Sequence, residues 1–235
     1  MRRLLVANRG EIAKRVARAA RERALPAVAV ATREDEALAA RYGANEIAPV
    51  ASYADAEALL EVARSRGCDA VHPGYGFLSE SAAFSRACGD AGLLFVGAPP
   101  AALALWGDKI AARDVAVASR VPVARGAVVR TASDLEAFLA DAESAILKAR
   151  TGGGGRGIRE VARGDDLSEA MALCAAEGGR AFGGDDAAEG LVVEELVRGA
   201  RHVEVQVVAD ASGAGRYKRL VLQDTFVHSV EWTCF

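Results

Sequence analysis

Cysteine is scarce in this chain and never closely paired. Cys68, Cys88, Cys174 and Cys234 form no Cys-x-x-Cys, and only three histidines accompany them. Zinc sites need closely spaced thiolate or imidazole ligands, so this spacing excludes one. The thiols are expected to be free and buried, as in a reducing compartment. Surplus charge is missing too: 29 Lys and Arg face 32 Asp and Glu, a net charge of −3. That balance excludes an extended nucleic-acid or anionic-membrane surface, while leaving room for a phosphate bound locally. No apolar run reaches the length of a membrane span. Met1-Arg2-Arg3 followed by Leu4–Ala7 mimics a leader peptide, but the apolar stretch stops after four residues at Asn8-Arg9-Gly10-Glu11. It therefore reads as a first strand in a chain expected in the cytoplasm. What remains is globular: 235 residues, 51% hydrophobic and 26% charged, enough for one large domain or two small ones without staples.

The first hundred residues alternate strand and helix. Leu4–Ala7 is a strand, and Ile12, Val16, Ala19 and Ala20 line one helix face. Ala27–Ala31 is a second strand. Ser52 with Asp55 predicts a capping box for a helix carrying Leu59, Leu60 and Val62 to Gly67. Ala70-Val71 starts a strand that runs into His72-Pro73-Gly74-Tyr75-Gly76, a helix from Phe84 ends at Ala91 before Gly92, and Leu93–Val96 is again a strand. The fold class this predicts is α/β, a doubly wound parallel sheet with its ligand site at the strands' carboxyl ends. Asn8-Arg9-Gly10 has one glycine where a dinucleotide fingerprint needs three, which argues against a nicotinamide or flavin site. The block His72–Phe77 reads equally as a tight structural turn or as part of a site.

Beyond Lys109 the pattern becomes α+β. Ala111–Ala118 reads as helix, Ala127–Val129 as strand, Ser133–Leu139 as helix with a Ser133–Glu136 box, and Ala145–Lys148 as strand. Strand Ile158–Val161, helix Leu167–Ala176 and strands Leu191–Glu194 and His202–Ala209 follow. Between two of these strands lies Thr151-Gly152-Gly153-Gly154-Gly155-Arg156-Gly157, five glycines in seven residues. A linker and a phosphate-embracing hairpin loop both fit, since glycine permits positive φ and close approach of backbone N–H groups to anionic oxygens. It is not a P-loop, because no Gly-Lys-Ser/Thr follows. Lys148, ending an apolar strand beside this run, reads as a candidate phosphate or purine ligand or as a strand-end lysine that snorkels to solvent, a common arrangement. Lys109 in Gly107-Asp108-Lys109 is a weaker candidate. The Glu194-Glu195 pair reads as a solvated acidic pair or as a hinge presenting backbone to a base.

Several of these blocks, in this order, resemble the biotin carboxylase component of biotin-dependent carboxylases. They are Leu5–Ala13, Asp69–Glu80, Gly107-Asp108-Lys109, Lys148–Gly157 and Arg201–Gln206. Within that family the four-glycine form Gly152–Gly155, Ala48-Pro49-Val50 before Ser52-Tyr53, and Phe84–Gly92 look most like pyruvate carboxylases. The resemblance implies a Rossmann-like pre-ATP-grasp domain over 1–106, part of an α+β ATP-grasp domain over 107–215, and a non-homologous tail over 216–235. It also implies ATP, Mg²⁺ and bicarbonate, with biotin as a substrate on a carrier domain, and catalysis mainly by positioning and charge neutralisation.

By the same resemblance, Lys109 and Lys148 contact nucleotide, and Gly153, Gly154 and Gly155 form the phosphate lid. Ile158 flanks adenine, while Glu194, Glu195 and Val197 form the hinge that grips it. His202 lies by ribose or phosphate, and Tyr75 and Gly76 lie near the biotin and bicarbonate pocket. Arg150 and Thr151 replace small or aromatic residues, adding charge and bulk beside the lid, and Glu195 replaces a lysine. After Asp210 the family's Glu-Arg-Asp-Cys-Ser and Gln-Arg-Arg-His-Gln-Lys segments do not occur. With them go the magnesium-binding glutamates, the base for bicarbonate and the arginines that hold bicarbonate and biotin. The expectation is a truncated module, inactive alone. The alternative is a non-catalytic nucleotide-binding or interaction fragment that pairs with full-length carboxylase subunits, or a homo-oligomer. Another ATP-grasp ligase, such as carbamoyl-phosphate or glycinamide-ribotide synthetase, is disfavoured by His72–Glu80.

Overall fold

The computed structural model describes residues 1–151, 157–182, 190–200, 203–209 and 215–221. Two compact units emerge, with Met1–Ala104 and Leu105–Val205 as their main segments.

In the first unit, β1 (Leu4–Val6), β2 (Ala27–Ala31), β3 (Glu46–Pro49), β4 (Ala70–His72) and β5 (Leu94–Phe95) pair in parallel. Their order is β3-β2-β1-β4-β5. Every residue of β1 and β2 is buried, as expected of parallel strands covered on both faces. Side chains alternate between the two faces. Leu5, Val28, Val30 and Val71 join one core with Leu59, Leu60 and Ala63 of α3 (Ala56–Ser65) and Phe84 and Cys88 of α4 (Ala82–Asp90). Leu4, Val6, Ala27, Ala29, Ala31 and Ala70 join the other, with Ile12, Ala13, Val16, Ala17 and Ala20 of α1 (Gly10–Glu22) and Ala39 of α2 (Glu36–Ala39). This is the doubly wound sheet the alternation predicts. On α1, Ala19 stands at the edge of the buried stripe, and Ala13 and Ala17 fill its centre.

Two elements here are absent from the sequence reading: α2 is one turn long, and the edge strand β3 buries only Ala48. The capping assignments also shift. Asp55, not Ser52, caps α3 by accepting from the Ala58 N–H, and Ser52 instead accepts from Ala54 within the preceding turn. The sheet's lower edge is tied by Asp69, whose carboxylate accepts from the backbone N–H of Arg2 at 2.8 Å and of Arg3 at 2.9 Å. Those backbone bonds hold its pKa down to about 2.

Following α5 (Pro100–Gly107), also absent from the sequence reading, the second unit comprises α6 (Lys109–Ala118), β6 (Gly126–Val129), α7 (Ala132–Leu139), β7 (Ser144–Lys148), β8 (Ile158–Ala162), α8 (Leu167–Phe182) and β9 (Leu191–Glu195). The strands form an antiparallel sheet in the order β6-β9-β7-β8. Leu135, Phe138 and Leu139 of α7 and Cys174 of α8 pack on one face, against Val129, Ala145, Leu147, Val161, Leu191 and Val193. Thr131 with Asp134, not Ser133 with Glu136, forms the capping box of α7. The strands β10 (Val203–Ala209) and β11 (Gly215–Val221) pair with each other. No helix among the described residues is long and apolar enough to cross a membrane. Cys68, Cys88 and Cys174 are free and buried, and burial pushes the Cys88 and Cys174 thiols up to about 11 and about 12.

Two expectations follow. The stabilising effect of Asp69 is complete above its unfolded pKa of about 3.9 and disappears as pH falls through about 2. The stability gap between wild type and Asp69→Asn, followed by urea unfolding, therefore narrows between pH 5 and pH 2. Gly74→Ala places a Cβ 2.7 Å from the Asn8 amide nitrogen at a φ of +68°. It is expected to destabilise the chain by about 2–4 kcal/mol in the same assay, the sum of left-handed strain and a disturbed buried hydrogen bond.

Candidate functional site

In the first unit, the order of the strands reverses between β1 and β4, so the loops leaving these two strands face one crevice. Asn8, 2% exposed, binds the two loops together. Its Nδ2 donates to the carbonyls of Pro73 at 2.6 Å and Tyr75 at 2.7 Å, and its Oδ1 accepts from the Arg9 N–H at 2.8 Å. His72 Nδ1 accepts from the Gly74 N–H at 3.0 Å, and burial lowers the pKa of the imidazole. The His72–Phe77 block is therefore a braced turn in which His72 is structural. The turn also exposes a surface: Tyr75 and Phe77 are 38% and 43% exposed. With Asn8, Gly10, Asp35 and Gly76 they line a cleft of about 480 Å³. Tyr75 and Gly76 thus line this cleft.

In the second unit, β7 and β8 are antiparallel with Lys148 opposite Ile158, and Ala149 N–H donates to Gly157 O at 2.7 Å. β7 and β8 are thus adjacent paired strands, and the glycine run is the segment that connects them in the chain. Gly153, Gly154, Gly155 and His202 lie outside the described residues. Cys174 Sγ donates to the Gly157 carbonyl at 3.1 Å, packing the start of β8 onto α8.

Side chains alternate across the sheet, so Lys148 and Glu194 face away from α7 and α8. The register places Lys148 opposite Val192 and Ile146 opposite Glu194. Lys148 Nζ lies 2.5 Å from Glu194 Oε2, with both side chains only about a quarter exposed. The other oxygen, Oε1, lies 3.3 Å from Arg113 Nη1, and Arg113 Nη2 donates to the Ala124 carbonyl at 2.6 Å. Glu194 is therefore an ion-paired group rather than a solvated one. Glu195 and Val197 differ: both side chains are exposed, and the Glu195 N–H donates to Arg125 O at 2.8 Å.

Lys109 opens α6 directly after its cap, Asp108. The Asp108 carboxylate accepts from the Ile110 and Ala111 N–H groups and from Arg150 Nε and Nη2 at 2.9 and 2.6 Å. Burial works against ionisation of Asp108, but the Arg150 bonds and the two N–H bonds outweigh it and lower its pKa. The Lys109 N–H donates to Arg150 O at 3.1 Å. The extra charge that Arg150 brings to the base of the glycine run is therefore spent on Asp108. Arg113 carried no signal in the sequence, since an arginine in mid-helix reads as part of a solvated face. Among the described residues, no group of three or more His, Cys, Asp and Glu could hold a metal ion.

Comparison with known proteins follows the same division. Residues 1–103 match the family described as biotin carboxylase, N-terminal domain, and residues 108–215 the carbamoyl-phosphate synthase L chain, ATP binding domain. Pyruvate carboxylase of Bacillus subtilis is 39% identical over 223 residues, which cover 91% of this chain and 19% of that protein. The structure of Rhizobium etli pyruvate carboxylase matches with a TM-score of 0.83 at 37% identity, over 92% of this chain and 20% of that one. The biotin carboxylase domain of Hydrogenobacter thermophilus 2-oxoglutarate carboxylase, in complex with MgADP, ADP and bicarbonate, also gives 0.83 at 32% identity, over 92% of this chain and 49% of that one. The chain thus spans about a fifth of the length of the curated pyruvate carboxylase. Residues 1–103 thus belong to the biotin carboxylase N-terminal domain family, and residues 108–215 to the carbamoyl-phosphate synthase L chain ATP-binding domain family.

Proposed function

We propose that this chain is the nucleotide-handling module of a biotin carboxylase, in a biotin-dependent carboxylase of the pyruvate carboxylase kind. In that reaction bicarbonate oxygen attacks the γ-phosphorus of ATP and ADP leaves. The resulting carboxyphosphate breaks into phosphate and CO₂, and the ureido nitrogen of biotin loses its proton and takes up the CO₂. The module's share is to bind, orient and neutralise the nucleotide.

One observation carries this reading. Lys148 ends β7 just ahead of the glycine run, with its ammonium held by Glu194 on the face of the sheet away from α7 and α8. A phosphate oxygen arriving there competes with Glu194 for a preorganised cation. Lys109, at the start of α6, supplies a second cation, and Gly153, Gly154 and Gly155 supply backbone N–H donors. Ile158, opposite Lys148 in register, offers an apolar surface to a base. Glu194, Glu195 and Val197 offer backbone groups to its edge, and His202 offers an imidazole to ribose or phosphate. Tyr75 and Gly76 serve the biotin and bicarbonate side. The working compartment is the cytoplasm, in keeping with three free, buried thiols.

ADP titration of the purified chain tests the reading. Lys148→Ala is expected to weaken ADP about ten- to hundredfold, the value of a charge-assisted hydrogen bond, and to leave adenosine unaffected. Equal ADP affinity in the two proteins would overturn the role of Lys148. The segments that the resemblance associates with the magnesium-binding glutamates and the bicarbonate base do not occur in these 235 residues. The chain alone is therefore expected to fix no labelled bicarbonate onto free biotin, and measurable turnover would refute that assignment.

A further inference from the structure

We infer that Arg113 is a positioning residue for Lys148: it fixes the Glu194 carboxylate and thereby aims the lysine ammonium. The purpose assigned to this device rests on the nucleotide reading above, but its geometry does not. Arg113 is anchored independently of Glu194, because Nη2 donates to the Ala124 carbonyl at 2.6 Å. Its guanidinium also lies over Gly126, where an added Cβ would meet Arg113 Cζ and Nη1 at 3.0 Å and the Val193 carbonyl at 2.9 Å. Glycine at 126 thus leaves a seat for the guanidinium beside the strand pair β6–β9. From that seat Nη1 reaches Glu194 Oε1 at 3.3 Å, leaving Oε2 to Lys148 at 2.5 Å. Each carboxylate oxygen has its own cation, so rotation of the carboxylate is blocked.

Chemistry favours arginine for this task. A guanidinium is a planar fork that serves two acceptors at fixed angles, whereas an ammonium is a point charge on a flexible stem. The chain uses the two cations unequally, with 25 arginines against four lysines, Lys14, Lys109, Lys148 and Lys218. Arginine occupies the fork position, and lysine the position from which a compact cation can pass from a carboxylate to a phosphate. Supporting residues that lock a functional side chain are a general requirement for a preorganised site.

The test is trace acetylation of the ligand-free, 235-residue chain, with each lysine quantified by peptide mass spectrometry. Exposed Lys14 is the internal reference. Arg113→Met is expected to raise labelling of Lys148 relative to Lys14 about threefold or more, because a carboxylate free to rotate releases its partner. Glu194→Gln is expected to do the same, and the double variant to add nothing further. Arg113→Lys, which keeps the charge and loses the fork, is expected to fall between wild type and Arg113→Met. It also serves as the test should Arg113→Met fail to fold. Lys148 labelling that stays at or below wild type in Arg113→Met, or in Arg113→Lys should Arg113→Met not fold, would overturn the inference. So would full additivity with Glu194→Gln. ADP titration is read separately: failure of the wild-type chain to bind ADP defeats the nucleotide reading, while labelling still decides the role of Arg113.

Discussion

The parallel sheet is packed with residues of different size on its two faces, and the arrangement of the first unit depends on that difference. Alanine dominates where Ala27, Ala29, Ala31 and Ala70 meet Ala13, Ala17 and Ala20 of α1. Leucine, valine and phenylalanine dominate on the side of α3 and α4. Small residues let a helix approach a sheet closely, and larger ones fill the wider gap opposite. Because side chains alternate, a slip of one residue in β2 would exchange valine for alanine along its whole length. Close approach of α1 also leaves Gly10 and Asn8 at the mouth of β1, where Asn8 reaches the carbonyls beyond β4.

In the second unit the organising force is electrostatic. Two acidic side chains, Asp108 and Glu194, each draw cations from separate elements: Arg150 from the loop after β7 for the first, Arg113 and Lys148 from α6 and β7 for the second. Partly buried charges are expensive unless paired and hydrogen-bonded, and these are both. Each pair also constrains geometry, the first at the base of the glycine run and the second on the face of the sheet away from α7 and α8.

Much of this was legible in the amino-acid order. Ala27–Ala31 announces itself because every residue is apolar, Leu191–Glu195 because it opens on three apolar residues, and Gly92 marks the end of α4 as a C′ glycine does. Lys148 stood out as a lone charge ending an apolar strand, and the structure pairs it with Glu194. The misses share a cause. The strand β3 buries one residue of four, so it left no periodic trace. Asp55 and Thr131 won the caps because side-chain reach to a particular N–H, not residue type alone, decides among neighbouring Ser, Thr and Asp. Arg113 was invisible because its meaning lies in partners 11 and 81 positions away along the chain. The ion pairing of Glu194 was invisible for the same reason.

Gly126 shows how a residue without a side chain can record the presence of another. The space above its Cα is already occupied by a guanidinium and by a neighbouring carbonyl. Freedom to vary at 126 is therefore conditional on what stands at 113. A lineage that places a methyl group at 126 displaces the arginine, and one that shortens the arginine removes part of the demand for glycine. The two positions, on different elements, are bound into a single unit of inheritance by a shared volume.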